Sequence, residues 1–333
     1  MSQPVFTLRK RSIMFCEATL PSSTSRGRST GWLSARIFIL LAALIFGGYS
    51  GRSAESDKET PPADWLAWQQ ARQESIAGTN GWTTLIFLKW LPDGQTYVGA
   101  DSTNQLVLPT GRAAGAVGVF SRSGKTVRFA AAPGVVATVG GVPVQELEMK
   151  TDATENPTKL TIGALTFVVI ERGERFGVRV RDPESPARLH FAGLKYFPYD
   201  PAWRIEGRFE PFTLVKIVRV PDASGGIQQL TSPGELVFTN AGQEYRLAAV
   251  AERGDDEFFV IFKDRTAGDT TYPAGRFLYV AQPDTAGRVT LDFNRAFNPP
   301  CGFTLFATCP RPPVQNTLPF AIPAGERKPV EPE

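Results

Sequence analysis

The stretch Gly115-Ala116-Val117-Gly118-Val119-Phe120-Ser121-Arg122-Ser123-Gly124-Lys125-Thr126-Val127-Arg128-Phe129-Ala130, followed by Val136-Ala137-Thr138-Val139-Gly140-Gly141-Val142, sets the pattern of the chain. Short runs rich in Val, Phe and Thr are punctuated by glycine, with no helical repeat. Ser123-Gly124 and Gly140-Gly141 are predicted hairpin turns, because two-residue turns need positive φ and glycine reaches it without a Cβ clash. The same texture extends outward from Trp82. It predicts strands at 85–88, 95–98, 115–121, 126–130, 136–139, 145–148, 159–162, 165–171 and 175–180. A second set is predicted at 204–209, 213–220, 226–230, 234–239, 243–250, 257–262, 275–280 and 288–291. The expected fold class is mostly β, with two β lobes, the second an antiparallel sheet domain, and a short N-terminal helix.

That helix is predicted from Asp64, as its cap, through about Ala77, with Trp65, Trp68, Ala71, Arg72 and Ser75 at three-to-four spacing. The two tryptophans are read as packing against a sheet. Between the two strand sets, residues 182–212 hold Pro183, Pro186, Pro198, Pro201 and Pro211 among Phe191, Tyr196, Phe197, Tyr199 and Trp203. A proline-rich linker would be polar; this one is aromatic and is predicted to be a buried bridge between the lobes. The expected organisation is a leader at 1–54, linker and helix at 55–81, a first lobe at 82–181 and the bridge at 182–212. A second lobe with a Cys/Pro-rich tail follows at 213–327, then a disordered end at 328–333.

Residues 37–50 form an apolar run between Arg36 and Arg52, preceded by Arg9, Lys10, Arg11, Arg26 and Arg28. Its core of about 12 residues would span only ~18 Å as a helix, against the ~30 Å of a hydrocarbon layer. The order of basic then apolar residues is that of a secretory signal, with Gly48-Tyr49-Ser50 as a small-x-small cleavage site. The alternatives are an uncleaved anchor, which would make these residues the only membrane contact, or a buried core helix. An extracytoplasmic location, periplasmic or secreted, is expected. Export changes the charge. The whole chain has 36 Lys and Arg against 33 Asp and Glu, a net +3. Residues 1–54 hold seven of the basic groups and only one acid, Glu17, leaving 29 basic and 32 acidic groups, about −3. Nucleic-acid binding loses its electrostatic support, and no nucleic-acid partner is expected.

The chain has one His and three Cys. A single imidazole removes His-based metal sites and makes a Ser or Cys hydrolase depend on His190 alone. There is no Gly-x-Ser-x-Gly elbow and no phosphate-binding loop ending in Gly-Lys-Ser/Thr. No metal and no cofactor are expected. Cys301 and Cys309, eight apart in a Pro-rich tail, are predicted to form a disulfide in an oxidising compartment. Acids, amides, arginines and aromatics remain. Asp264 and Asp292 are the candidate acid and base of a carboxylate-dependent hydrolase acting on an envelope glycan or ester, chemistry that needs no imidazole. Arg276, Asn294, Arg295, Tyr272, Tyr199 and Arg204 are the candidate ligand-binding residues, with Tyr199, Trp203 and Phe197 as a sugar-stacking platform. The same acids with nearby carbonyls would also suit a Ca²⁺ loop. A structural reading competes with all of these: Arg276 and Arg295 would pair with Asp264 and Asp292 to pin loops.

Four stretches, Phe176 to Pro186, Tyr196 to Arg204, Gly275 to Val280 and Leu291 to Cys301, resemble a prokaryotic family defined as domain of unknown function 1684. Thr308-Cys309-Pro310, Asn316, Leu318-Pro319 and Ala324-Gly325-Glu326 continue the likeness, which spans roughly Asp64 to Arg327. The resemblance implies a fold and brings no activity with it. In the first lobe, Gly99-x-Asp101, Asn104 to Pro109, Gly141 to Val144 and Leu160-Thr161-Ile162-Gly163 resemble a forkhead-associated domain. That likeness implies a β-sandwich. Forkhead-associated domains hold phosphothreonine with loop Arg, Ser and Asn side chains; the corresponding loop here, 110–115, offers Arg112 alone. The overall expectation is a binding or envelope-maintenance module whose partner is an unknown small ligand or envelope component, in a cleft near the aromatic bridge.

Overall fold

The computed structural model describes residues 61–251 and 254–330, so the predicted leader, most of the linker and the last three residues lie outside the described residues. The chain folds as two β lobes behind one N-terminal helix, α1 (Ala63–Ala77). Pro62, not Asp64, occupies the cap position, and Asp64 lies in the first helical turn, where it pairs with Arg295. Trp65, Arg72 and Ile76 are the buried face. The helix packs on the C-terminal tail and the bridge: the Trp65 indole N–H donates to the Asn294 carbonyl at 3.0 Å, and Trp65 and Trp68 meet Tyr196 edge-on.

The first lobe is a sandwich of two sheets. One has the order β1 (Leu85–Leu91), β11 (Arg175–Arg181), β10 (Leu165–Arg172), β9 (Leu160–Ile162), β6 (Ala137–Val139), β7 (Val142–Val144). The other runs β3 (Leu106–Val107), β2 (Gly94–Gly99), β4 (Gly118–Ser123), β5 (Thr126–Ala131), β8 (Glu146–Glu148). The Gly140-Gly141 turn forms as predicted, whereas the first turn is Gly124-Lys125, one residue on from Ser123-Gly124, because Ser123 still pairs with Thr126 in the ladder. Gly124 lies at φ 59°, and Gly140 and Gly141 at 58° and 83°, joining Ser123 to Thr126 and Val139 to Val142 in register. Alternating side chains of both sheets, among them Phe120, Phe129, Phe167 and Val178, fill the space between.

The second lobe is built on β12 (Arg204–Pro221) and β13 (Ile227–Asn240), flanked by β14 (Gln243–Ala249) and β17 (Arg288–Asp292), with β15 (Glu257–Phe262) pairing β16 (Arg276–Ala281) beside them. Four of the predicted strands are really two long ones. Pro211 and Pro233 mark a register shift between Pro211 and Lys216 rather than strand ends, because a proline that cannot donate to the ladder is tolerated at a bulge. β12 also begins at Arg204, inside the predicted bridge.

A third apolar cluster joins the lobes: Ile76 of α1, Leu85 of the first lobe, Phe259 and Phe277 of the second, and Ala307 and Cys309 of the tail, with Phe191 of the bridge packed against it. Tail residues 301–311 are threaded through this junction. Arg172 Nε and Arg179 Nη2, from the first lobe, each donate to Thr308 Oγ1 at 3.0 Å. From the other side, the β12–β13 hairpin tip gives the Ala223 N–H to the Cys309 carbonyl at 2.9 Å, while the Arg311 N–H returns to Pro221 O at 2.9 Å.

Candidate functional site

The tail enters the junction on Pro299-Pro300, whose fixed φ starts a tight 3-10 turn at Pro300–Gly302 and puts Cys301 at its centre. Eight residues on, Cys309 is buried, held by backbone bonds on both sides of it. The two sulfurs are not bonded, so the predicted disulfide is absent and both thiols are free. They are hydrogen-bonded instead: the Cys309 thiol bonds to Cys301, and the Cys301 backbone N–H donates to Cys309 Sγ at 3.2 Å. Tyr272 reaches in from the loop after β15 and donates its hydroxyl to the Cys301 carbonyl at 3.0 Å.

These groups line a cavity of about 190 Å³ with Ala223, Ala274, Pro299, Thr304, Leu305, Ala307, Pro310 and Arg311. The site is electrostatically asymmetric. The hydrogen bond from Cys309 lowers the Cys301 thiol below its usual range against the opposing effect of burial, with help from Tyr272 and the positive charge of Arg311. Burial pushes the Cys309 thiol well up, and its interactions with Cys301 add to this. Burial likewise raises Tyr272, which therefore stays a protonated donor. Behind Cys309, the Arg179 guanidinium lies over the Trp82 ring at 5.5 Å with its Nε unpartnered and its pKa pushed down to about 9 by burial.

Of the residues singled out from the sequence, Tyr272, Cys301 and Cys309 meet at this cavity. The rest do not line it, and each has a structural task. Asp264 is buried: Oδ1 accepts from the Thr266 N–H at 2.8 Å and hydroxyl at 2.5 Å, and Oδ2 accepts from Arg276 Nη2 at 2.8 Å. Arg276, equally buried, also donates to the carbonyls of Ile322, at 2.9 Å, and Ala324. Asp292 accepts from the Asn294 N–H and Nδ2 at 3.1 and 3.0 Å and faces Arg295 at 3.4 Å. Asp264 and Asp292 thus serve separate loop anchors, and neither lines this cavity, so the geometry lends the acid–base pair no support.

Asn294 clasps the Asp200 backbone, accepting its N–H at 3.0 Å and donating to its carbonyl at 2.9 Å. Arg204 stands opposite Asp292 in the β12–β17 ladder. Tyr199 meets the Trp65 ring edge-on at 5.5 Å, Trp203 packs on Phe293 and Phe197 lies under Arg327, so the three form no common stacking face. His190 ends the short helix α2 (Pro186–Leu189), exposed and outside the cavity lining. Arg112, which the forkhead-associated likeness would place on phosphate, is already bound to Asp182 and Glu184 at 2.5 Å each. Among the described residues no group of three or more His, Cys, Asp or Glu is placed to hold a metal ion, and no helix is long and apolar enough to cross a membrane.

Sequence reasoning missed Arg311, Arg179 and Ala223. Arg311 follows Cys309-Pro310 directly and was legible as a charge beside a thiol. Ala223 and Arg179 arrive from other elements and left no local signal.

An uncharacterized protein of Haloarcula marismortui, solved in solution, is 32% identical over 44% of this chain and 80% of its own, with a TM-score of 0.36. Two forkhead-associated domain structures, one of them the FhaA domain complexed with the intracellular domain of Rv3910, are 17% identical over 28% of this chain and 97% and 92% of their own, each with a TM-score of 0.21. No curated protein matches. The region that carries the cavity residues Tyr272, Cys301, Cys309 and Arg311 falls within residues 189–327, which match a family model described as protein of unknown function, DUF1684; the match starts at the bridge rather than at Asp64.

Proposed function

We propose that the protein is an exported binding module whose ligand is a small anion held in the Tyr272–Arg311 cavity. The observation that carries this reading is the Arg311 side chain on the cavity wall, for which the described residues provide no ion-pair partner, facing small apolar residues and a tyrosine hydroxyl. Arg311 is exposed at the rim, and its guanidinium supplies paired donors suited to a carboxylate or phosphate. At about 190 Å³ the cavity falls below the range of drug-sized sites, roughly 300–1,000 Å³, which favours a ligand of few heavy atoms. Export rests on the basic-then-apolar order of residues 1–50, and the envelope is the compartment that order addresses.

The test titrates the reduced protein with acetate, then with inorganic phosphate, while amide resonances of Ala223, Ala274 and Ala307 are followed by NMR. Saturable shifts confined to these positions, weakened about tenfold or more in Arg311→Met, are expected for a lost charge-assisted contact. Shifts that do not saturate, or that Arg311→Met leaves unchanged, sink the reading. Export is checked by fractionating cells that express the full chain; recovery in the cytoplasm at full length contradicts it.

A further inference from the structure

The cavity holds more than an anion site requires. Two free thiols share it, one partly buried and one buried, linked by a hydrogen bond and by the Cys301 N–H to Cys309 Sγ contact at 3.2 Å. A structural thiol buried in apolar surroundings is inert; these two sit at an opening, beside a hydroxyl donor and an arginine. The backbone N–H of Cys301 already touches the Cys309 sulfur, so the two thiols are neighbours, and joining them requires the turn at Pro300–Gly302 to shift the Cys301 sulfur onto its partner.

We propose that the Cys301–Cys309 pair is a redox site that reduces small hydroperoxides, with Cys301 as the attacking sulfur and Cys309 as the resolving one. The inference rests on the same cavity admitting a small polar solute. The Cys301 thiolate attacks one oxygen of the peroxide bond; an S–O bond forms, the O–O bond breaks, and the departing oxygen leaves as an alcohol, or as water from hydrogen peroxide, carrying the proton released by Cys301. Cys309 then attacks the sulfenic sulfur. The S–S bond forms, the S–O bond breaks, and hydroxide leaves with the Cys309 proton as water. Two thiols are oxidised to one disulfide and one hydroperoxide is reduced by two electrons. Arg311 steadies the thiolate and the anionic departing oxygen, and Arg179 faces Cys309 from the first lobe, where its charge eases the second step.

The division of labour between the sulfurs follows from their surroundings. Cys301 is the more accessible and is held toward the thiolate by Cys309, Tyr272 and Arg311; Cys309 is buried and protonated until the sulfenic acid forms beside it.

The experiment treats reduced full-length protein with one molar equivalent of hydrogen peroxide and reads thiol loss and intact mass against time. Expected is loss of two hydrogens, a Cys301–Cys309 cross-link in the peptide map, and a rate about tenfold or more above that of free cysteine and of the same chain unfolded in urea. In Cys309→Ser the reaction stops at a sulfenic acid on Cys301, trapped by dimedone; in Cys301→Ser, Cys309 stays reduced over the same interval; Arg311→Met slows the first step. The proposal is overturned if the folded and unfolded chains react equally fast, if Cys309 oxidises first, or if the pair forms no cross-link. A Cys301→Ser/Cys309→Ser variant separates the two readings: retained acetate or phosphate shifts with no peroxide reaction in the parent protein leave the anion reading standing and remove this one. Peroxide reactivity in a protein that shows no anion shifts does the reverse.

Discussion

Arg276 and Asp264 bury two opposite charges under the loop that carries Tyr272, each almost fully removed from solvent. Such a pair is costly to desolvate and is held in place by its neighbours: the carboxylate also accepts from Thr266, and the guanidinium also donates to Ile322 and Ala324. Removing one partner leaves the other charged, buried and short of an acceptor. Asp264→Ala is therefore expected to lose about 3–5 kcal/mol in urea unfolding, and Asp264→Leu/Arg276→Met to recover much of it, because the double change removes both desolvation costs. A loss in the double variant equal to that of the single would contradict the account. The pairing was legible because the two residues flank a single loop, twelve positions apart. Arg72 with Glu326, 254 positions apart at 2.7 Å, was not: nothing local in an exposed-looking helix announces that one of its arginines will be buried against the far end of the chain.

At the scale of elements, the Gly140-Gly141 turn of the first lobe was readable because its chemistry is complete within four residues. Gly140 and Gly141 both adopt positive φ at the tip of β6–β7 with open space around them, so a side chain there meets backbone strain and not a neighbour. Gly140→Val is expected to cost about 1–2 kcal/mol, measured as a fall in urea midpoint at unchanged m-value. The long hairpin of the second lobe was harder to read, since Pro211 and Pro233 look like terminators in sequence and become a bulge only when two strands pair across them. The bulge leaves Leu214 and Val215 pointing outward, 80% and 62% exposed. Leu214→Asp is accordingly expected to shift stability by no more than about 0.5 kcal/mol in the same measurement, the opposite of what an apolar strand residue would suggest. The cavity itself was only half legible. Cys301 and Cys309 declare themselves by spacing, whereas Tyr272 and Ala223 reach them from a loop and a hairpin tip that come together only once the lobes have formed.

At the scale of the molecule, the lobes and the tail converge on Asp222 at the tip of that hairpin. Its side chain is fully buried and pairs with Arg175 of the first lobe at 3.2 Å. The next residue, Ala223, holds the Cys309 carbonyl. Burial by itself would raise the Asp222 carboxyl, yet hydrogen bonds from the Ser224 hydroxyl and from the Gly226 and Ser224 N–H groups, with the Arg175 charge, outweigh it and hold the group below its ordinary value of 3.8. A carboxyl lowered in the folded state stabilises above its unfolded pKa, and that contribution disappears as pH falls through the folded value. Asp222→Asn removes the charge at every pH and is expected to cost about 1–2 kcal/mol at neutral pH, discounted for the solvent that reaches Arg175. The gap between wild type and variant, followed by urea unfolding, should stay constant from about pH 8 to pH 5 and narrow below about pH 4 as the wild-type carboxylate is protonated. Because the hairpin tip is also a cavity wall, reduced Asp222→Asn should expose Cys309 to a maleimide faster than wild type at neutral pH, with the two rates converging in acid as their stabilities do once the reagent's own pH dependence is divided out. A stability gap that is flat down to pH 3, or that widens in acid, would mean that Asp222 does not carry the link between the lobes.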